Sequence, residues 1–275
     1  PTMSGFKVSI EDEIQFDPNK KRIQLELLES ENADIFDVLI EDIINSVSNS
    51  RNEPEASQSF INRIFQWQTL LGNKKIKSMS EERQRGLYGE LMCIRDILGP
   101  KAGIHESLLA WSGPSRTDGI RDFEYSGVGI EVKTTLERNP RGFRVSNERQ
   151  LDDFNMKSVV INHFSMDRSR TNGETLNELI EDIKAIIQNE IRIEMLFDQR
   201  LLEYGYSEEH YNQYEKWKYA VREQFLFLVN EEFPRIIETD LKQGISKVAY
   251  DVSIDECKPF EIEQNDFYKL LEEKK

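Results

Sequence analysis

Apolar residues recur along this chain with two different periods, and the switches between them mark out strands and helices. Arg22-Ile23-Gln24-Leu25-Glu26-Leu27 alternates polar and apolar, which predicts a half-buried strand through Leu28, and Phe6 to Ile10 reads the same way. From Ser30 to Val47 the spacing becomes three and four, placing Ile35, Phe36, Leu39, Ile40, Ile43 and Ile44 on one helical face. Asn45 to Gln58, rich in Ser, Asn and Glu and holding Pro54, predicts a turn or short linker. Ser59 to Leu71 predicts a second helix that stops near Gly72.

A third helix is expected to start at Ser80, with Glu81, Glu82 and Arg83 in its first turn, and to end at Gly99-Pro100. Gly86 and Gly89 inside it cost about 1 kcal/mol each relative to alanine, which makes sense if something approaches that backbone closely. Short strands follow at Leu108 to Trp111, Asp122 to Tyr125, Gly129 to Thr135 and Phe143 to Ser146. Glu148 to Phe154 reads as a short helix, and Lys157 to Phe164 as an apolar strand. Thr175 to Leu202 carries one long apolar stripe from Leu176 to Met195 and predicts a single helix. A helix from Glu208 to Tyr219 and strands at Gln224 to Val229 and Ser246 to Ile254 complete the pattern. This order is α/β or α+β, with helices packed on a central sheet. It divides into an N-terminal strand and helix region (1–72), a core (73–170) and a helical extension with added strands (171–275), packed on that core.

Composition bounds the function. The chain has 275 residues, 38% of them hydrophobic, enough to bury a substantial core. There is no apolar run long enough to span a membrane and no signal-like opening segment, so the expectation is a soluble, cytoplasmic protein. Cys93 and Cys257 stand alone, without zinc spacing, which fits a reduced compartment. The net charge of −15 argues against a protein that coats nucleic acid. That charge is uneven: Asn73 to Arg149 holds fourteen Lys/Arg against eleven Asp/Glu, a local excess of positive charge in an acidic chain. An acidic exterior fits ordinary solubility, restraint of unproductive DNA binding, or contact with a basic partner.

The basic island contains the chemistry. In Arg121-Asp122-Phe123-Glu124-Tyr125-Ser126-Gly127-Val128-Gly129-Ile130-Glu131-Val132-Lys133 an acid precedes a Gly-containing hairpin turn, and Glu131 and Lys133 lie two apart in a strand. Residues i and i+2 share a strand face, so these charges point the same way while Ile130 and Val132 point to the other. Two acids and an ammonium in that arrangement suit a divalent metal and a phosphodiester. Asp118, in Arg-Thr-Asp-Gly, rivals Asp122 as the first acid, although Asp118-Gly119 reads as a turn. The bland alternative for Glu-x-Lys is a solvated cross-strand charge pattern.

These residues resemble the Asp…Glu-x-Lys signature of the PD-(D/E)XK nuclease superfamily, and Gly-Leu-Tyr-Gly-Glu90-Leu resembles the glutamate-bearing first helix of its core. Trp111-Ser112-Gly113-Pro114, Asp122-Phe123, Ile130-Glu131-Val132-Lys133-Thr134-Thr135 and the N-terminal Ile35 to Asp42 piece together resemble a bacterial branch associated with restriction-modification and phage-defence loci. The resemblance is strongest from Ser80 to Phe164. It implies a restriction-endonuclease-like mixed sheet and a Mg²⁺-dependent DNA endonuclease, with Mn²⁺ as a substitute. It also implies that the first strands, at the Pro1-Thr2 start, are missing or replaced. Asp122, Glu131 and the Val132 carbonyl would hold the ion. Glu90 would bind a second ion or orient water, and Lys133 would position the water or stabilise charge on phosphate. Arg121 stands where the signature has proline. Gln150 with Phe154 resembles the Gln-x-x-x-Tyr motif of some exonuclease-like members, and Thr134 extends the strand motif. Arg138, Arg141, Arg144 and Arg149 are candidates for phosphate contact, or form a solvated basic face.

His105, His163 and His210 have no metal spacing and read as structural or surface residues, and Trp111 reads as a core anchor. No phosphate-cradling Gly-x-x-x-x-Gly-Lys loop exists, so ATP dependence would come from a partner such as an ATPase, or a methyltransferase subunit in a restriction complex. A homodimer would suit cutting of both strands.

Overall fold

A computed structural model describes residues 2–3, 6–12, 21–48, 50–71, 78–114, 121–138, 142–188 and 190–272. They fall into two compact units, Pro1–Lys77 and Ser78–Lys275, so residues on both sides of position 170 share one unit.

In the first unit, β1 (Thr2–Met3), β2 (Phe6–Asp12) and β3 (Lys21–Leu27) form an antiparallel sheet in which Phe6 pairs with Leu27. A turn of 3₁₀ helix, Ser30–Asn32, leads into α1 (Ala33–Ser48), and α2 spans Glu53–Leu71. Phe6, Leu39, Ile43 and Ile64 form the buried centre, with Phe6 stacked on Phe36 at 5.5 Å. The expected linker is shorter than Asn45 to Gln58. Asn52 Oδ1 accepts the Glu55 N–H at 2.9 Å, and Pro54 falls in the first helical turn, where a missing N–H costs nothing.

In the second unit, α3 (Glu81–Met92) is capped by Ser80, whose hydroxyl accepts the Arg83 N–H at 3.2 Å. The helix does not end at Gly99-Pro100. A π-helical turn, Cys93–Leu98, lets the Gly99 N–H reach the Ile94 carbonyl, α4 (Gly99–Ala102) follows, and the helix stops at Gly103, whose φ is +86°. The strand expected at Leu108 to Trp111 is instead the end of α5 (Ile104–Ala110); Trp111 alone makes a bridge, to Phe123. Short apolar runs do not distinguish a buried strand from a buried helical turn.

Among the described residues a five-stranded mixed sheet runs β4 (Phe123–Tyr125), β5 (Val128–Thr135), β7 (Ser158–Ser169), β9 (Lys218–Val229), β8 (Glu174–Thr175). β4 and β5 are an antiparallel hairpin, β5 and β7 are parallel, and β7 and β9 are antiparallel. The hairpin turn, Ser126-Gly127, has φ of +53° and +81°, the paired left-handed geometry of a tight two-residue loop. Beside the sheet, β6 (Gly142–Val145) and β10 (Tyr250–Ser253) form an antiparallel ribbon.

Alternation decides which way each strand residue points. Ile130, Val132, Val160 and Phe164 pack into a helical layer with Leu87, Leu91 and Trp111. α6 (Leu176–Ile187) and α7 (Ile191–Tyr204) belong to this layer, α6 opening with a reciprocal Thr175–Glu178 capping box. The single long helix expected here is therefore two: Gln188, at ψ 135°, breaks it, and both parts bury their apolar faces on the same core. On the other face Val159, Ile161 and Phe227 meet Phe143, Val145 and Val252 of the ribbon. Glu148 to Phe154 forms turns rather than a helix, and Glu208 to Tyr214 only a 3₁₀ turn and the four-residue α8 (Tyr211–Tyr214). Of Ser246 to Ile254 only β10 is strand; α9 (Ile254–Cys257) and α10 (Gln264–Glu272) close the chain.

Candidate active site

The hairpin sets the first two acids and the lysine. Asp122 lies just before β4, and its Oδ2 accepts the Val132 backbone N–H at 2.7 Å, which pins the carboxylate against the middle of β5. Glu131 and Lys133 share the face that looks away from the helices, and the Lys133 ammonium donates to Glu131 Oε1 at 2.7 Å. Their side chains are 2% and 11% exposed, so this is no solvated surface pair. Lys133 also donates to Gln150 Oε1 at 3.3 Å, and the same oxygen accepts the Ser146 N–H at 2.8 Å. Glu131 Oε2 is buried and has no hydrogen-bond partner among the described residues. An unsatisfied buried acceptor costs about 1–3 kcal/mol, more when charged.

Glu90 enters from α3. Gly89 explains how: a Cβ there would lie 2.3 Å from Thr134 Cγ2, so only glycine lets the helix settle this close to β5. The Glu90 carboxylate is held from both sides, Trp111 Nε1 donating to Oε2 at 2.6 Å and the Tyr204 hydroxyl to Oε1 at 2.5 Å. Burial pushes the Glu90 carboxyl up to about 7, against the pull of the Tyr204 and Trp111 bonds, and repulsion from Glu131 adds to the rise. Burial also raises Asp122 well above the usual carboxylate range, with Glu131 and Glu90 adding repulsion. For Lys133, burial opposes the charge, but the Glu131, Asp122 and Glu90 carboxylates outweigh it and hold the ammonium above its ordinary value. Three buried carboxylates and one ammonium thus lie within electrostatic reach of one another.

The family model described as "Putative PD-(D/E)XK family member, (DUF4420)" matches residues 3–255. The chain belongs to this family. No curated protein and no solved structure matches it. The mixed α/β sheet flanked by helices agrees with a PD-(D/E)XK fold, and the family makes the chain nuclease-like. PD-(D/E)XK nucleases in general use divalent metals. Among the described residues no group of three or more His, Cys, Asp or Glu side chains could hold a metal ion. The oxygen groups nearby are the two carboxylates of Asp122 and Glu131. They are hard oxygen ligands of the kind Mg²⁺ or Mn²⁺ takes, and the unpartnered Glu131 Oε2 fits that use.

The other expected residues are distributed unevenly around this candidate site. Gln150 joins it through Lys133. Thr134 faces α3, accepting Arg85 Nε at 3.2 Å. Arg138, Arg144 and Arg149 lie on the exposed surface, paired with Asp167 at 2.7 Å, Asp251 at 3.5 Å and Glu238 at 3.4 Å. Asp118 and Arg141 lie outside the described residues. A cleft of about 640 Å³ opens between α3 and the β6–β10 ribbon and reaches Lys133, with Arg85, Thr134, Arg144 and Asp251 also on its walls.

Sequence reasoning missed two groups. Tyr204 comes from the last turn of α7, far from the motif, and nothing in its surroundings signals a role. Trp111 is the fully buried anchor expected, but its indole N–H also serves Glu90. The bridge of Trp111 to Phe123, which brings it to the hairpin, comes from tertiary packing and left no signal in the sequence. His163 pairs in register with Lys133 and is buried between Phe143 and Phe225, at 5.9 and 6.3 Å, as a structural histidine would be.

Proposed function

We propose that this chain is a metal-dependent DNA endonuclease, using Mg²⁺ or Mn²⁺, that works in the cytoplasm as part of a bacterial restriction or anti-phage system. The observation that supports the reading is the buried Lys133–Glu131 pair, with Asp122 pinned to Val132 beside it, Glu90 within electrostatic reach and Glu131 Oε2 without a partner among the described residues. In this reading Asp122, Glu131 and the Val132 carbonyl hold the ion. A bound ion would supply Lewis-acid polarisation of a phosphate oxygen and activation of water. Lys133, kept charged by three carboxylates, orients the attacking water and offsets charge gathering on the phosphate. Gln150 fixes the direction of that ammonium. Glu90, near 7, has the proton affinity suited to accept or relay a proton at neutral pH. The water oxygen bonds to phosphorus, one ester P–O bond breaks, and the leaving oxygen takes a proton.

The test is plasmid cleavage. Purified protein with Mg²⁺ or Mn²⁺ nicks or linearises plasmid DNA, and Asp122→Ala, Glu131→Ala and Lys133→Ala abolish it. Intact DNA with the wild-type protein, together with equal phage resistance from wild type and Lys133→Ala, overturns the reading.

A second reading, a subunit that cleaves only with a partner or serves as a scaffold, draws on charge. The chain carries −15 overall, and Arg138, Arg144 and Arg149 already face acids. Cleavage that appears only with an added ATPase or methyltransferase subunit, or only in a homodimer, selects it.

A further inference from the structure

We infer that Arg121 is a positioning residue for Glu131, acting with Lys133 to present the unpartnered Glu131 oxygen to a divalent cation. The inference rests on the metal-site reading above, and it concerns the position where the family signature has proline. The Arg121 side chain is 2% exposed. It folds over Gly129: a Cβ at that glycine would lie 2.5 Å from Arg121 Cδ and 3.0 Å from Nε. Gly129 lies two residues before Glu131 on the same strand, so Arg121 covers the Glu131 face of β5. Arg121 Nε is buried without a hydrogen-bond partner among the described residues, as is Glu131 Oε2. The only ion pair formed by Arg121 among the described residues is a long one, Nη1 to Glu124 at 3.9 Å. The other acids within electrostatic reach are Glu131, Asp152 and Asp153.

Along β5, therefore, Glu131 is bracketed: Lys133 on its far side takes Oε1, and the Arg121 guanidinium lies over Gly129 on its near side. A buried guanidinium with an unused donor is costly unless its charge is used. Here its charge lies on the side of Glu131 away from Lys133, so the carboxylate is drawn from both directions along the strand. The absent side chain at Gly129 and the arginine at 121 are two halves of one device.

The experiment is calorimetric titration of Mn²⁺ alone into metal-free protein, without DNA. Arg121→Met weakens Mn²⁺ binding about ten-fold or more, as loss of a group that orients a metal-ligating carboxylate does, and Arg121→Lys restores part of it. The sign discriminates, because loss of a mere neighbouring positive charge tightens cation binding. Unchanged or tighter binding in Arg121→Met overturns the inference. If that variant does not fold, Gly129→Ala carries the test: it keeps the charge, pushes the Arg121 stem aside, and weakens Mn²⁺ binding in the same direction. Wild-type binding with no loss in Gly129→Ala then overturns the inference alone. A wild-type protein that takes no Mn²⁺ overturns the metal-site reading with it.

Discussion

The two sides of the site are built to different standards of completion. On the helix side, Glu90 has both oxygens served by protein donors, Trp111 and Tyr204. On the strand side, Glu131 has one oxygen on Lys133 and the other on nothing among the described residues. Both carboxylates are buried to within a few per cent, so the difference is one of chemistry and not of exposure. A carboxylate with its bonds filled is a fixed part of the scaffold with a tuned proton affinity. One with a bond missing is a receptor. In the proposed function this contrast corresponds to proton chemistry on the helix and cation chemistry on the strand.

The largest effect expected is on the strand side. Lys133→Ala or Glu131→Gln lowers cleavage by about 100- to 1,000-fold or more, read by plasmid nicking, because each removes charge aimed at the reacting phosphate or at the ion. Loss of only two- or three-fold would mean that the strand side is not where the chemistry lies.

The next tests the helix side through pH. The Glu90 carboxyl rises from 4.5 unfolded to about 7 folded, so its contribution to stability is fully present below pH 4.5 and is lost as pH rises through 7. Asp122 is displaced in the same direction. Metal-free protein therefore melts at lower temperature at pH 8 than at pH 5, and Glu90→Gln removes a part of that slope on the order of 3 kcal/mol. Tyr204→Phe, which removes one donor, moves the Glu90 titration higher still, visible as a shift of the matching limb in a pH–rate profile. A flat melting profile in chelator breaks the comparison.

Smaller effects are expected where the two sides touch. Gly89→Ala destabilises by about 1–3 kcal/mol in urea melts, since its methyl meets Thr134 Cγ2, and pairing it with Thr134→Ser recovers much of that loss. Arg138→Ala, outside the pocket, changes stability by no more than about 0.5 kcal/mol. If it contacts phosphate, its effect is a shallower salt dependence of DNA binding, by about one in slope.

Much of the strand side was legible in the chain because its physics is local. Period-two alternation fixes that Glu131 and Lys133 share a face, and Gly127 marks the turn that brings Asp122 alongside. The two glycines of α3 signalled a close approach, and Gly89 makes one. The helix side was legible only in Glu90. Its donors depend on tertiary packing: Tyr204 comes from α7, and Trp111 follows a segment whose apolar run reads equally as strand or helix. The division of 175–202 into two helices was hidden for a similar reason, because the apolar stripe runs unbroken while the backbone turns at Gln188. Arg121 was visible only as a departure from a signature; its meaning needed the glycine it covers.

The two left-handed residues of the β4–β5 turn have a wider consequence. They fix how many residues separate Asp122 from Val132, and a strand has only two faces. One extra residue in that turn, with β5 slipping one place against its neighbours, would point Glu131 and Lys133 into the helical core and turn Ile130 and Val132 towards the cleft. The turn therefore acts as a counter with two settings. In one the protein is folded with Glu131 and Lys133 paired away from the helices, and in the other neither holds, so a length change here disturbs the fold and the candidate site together.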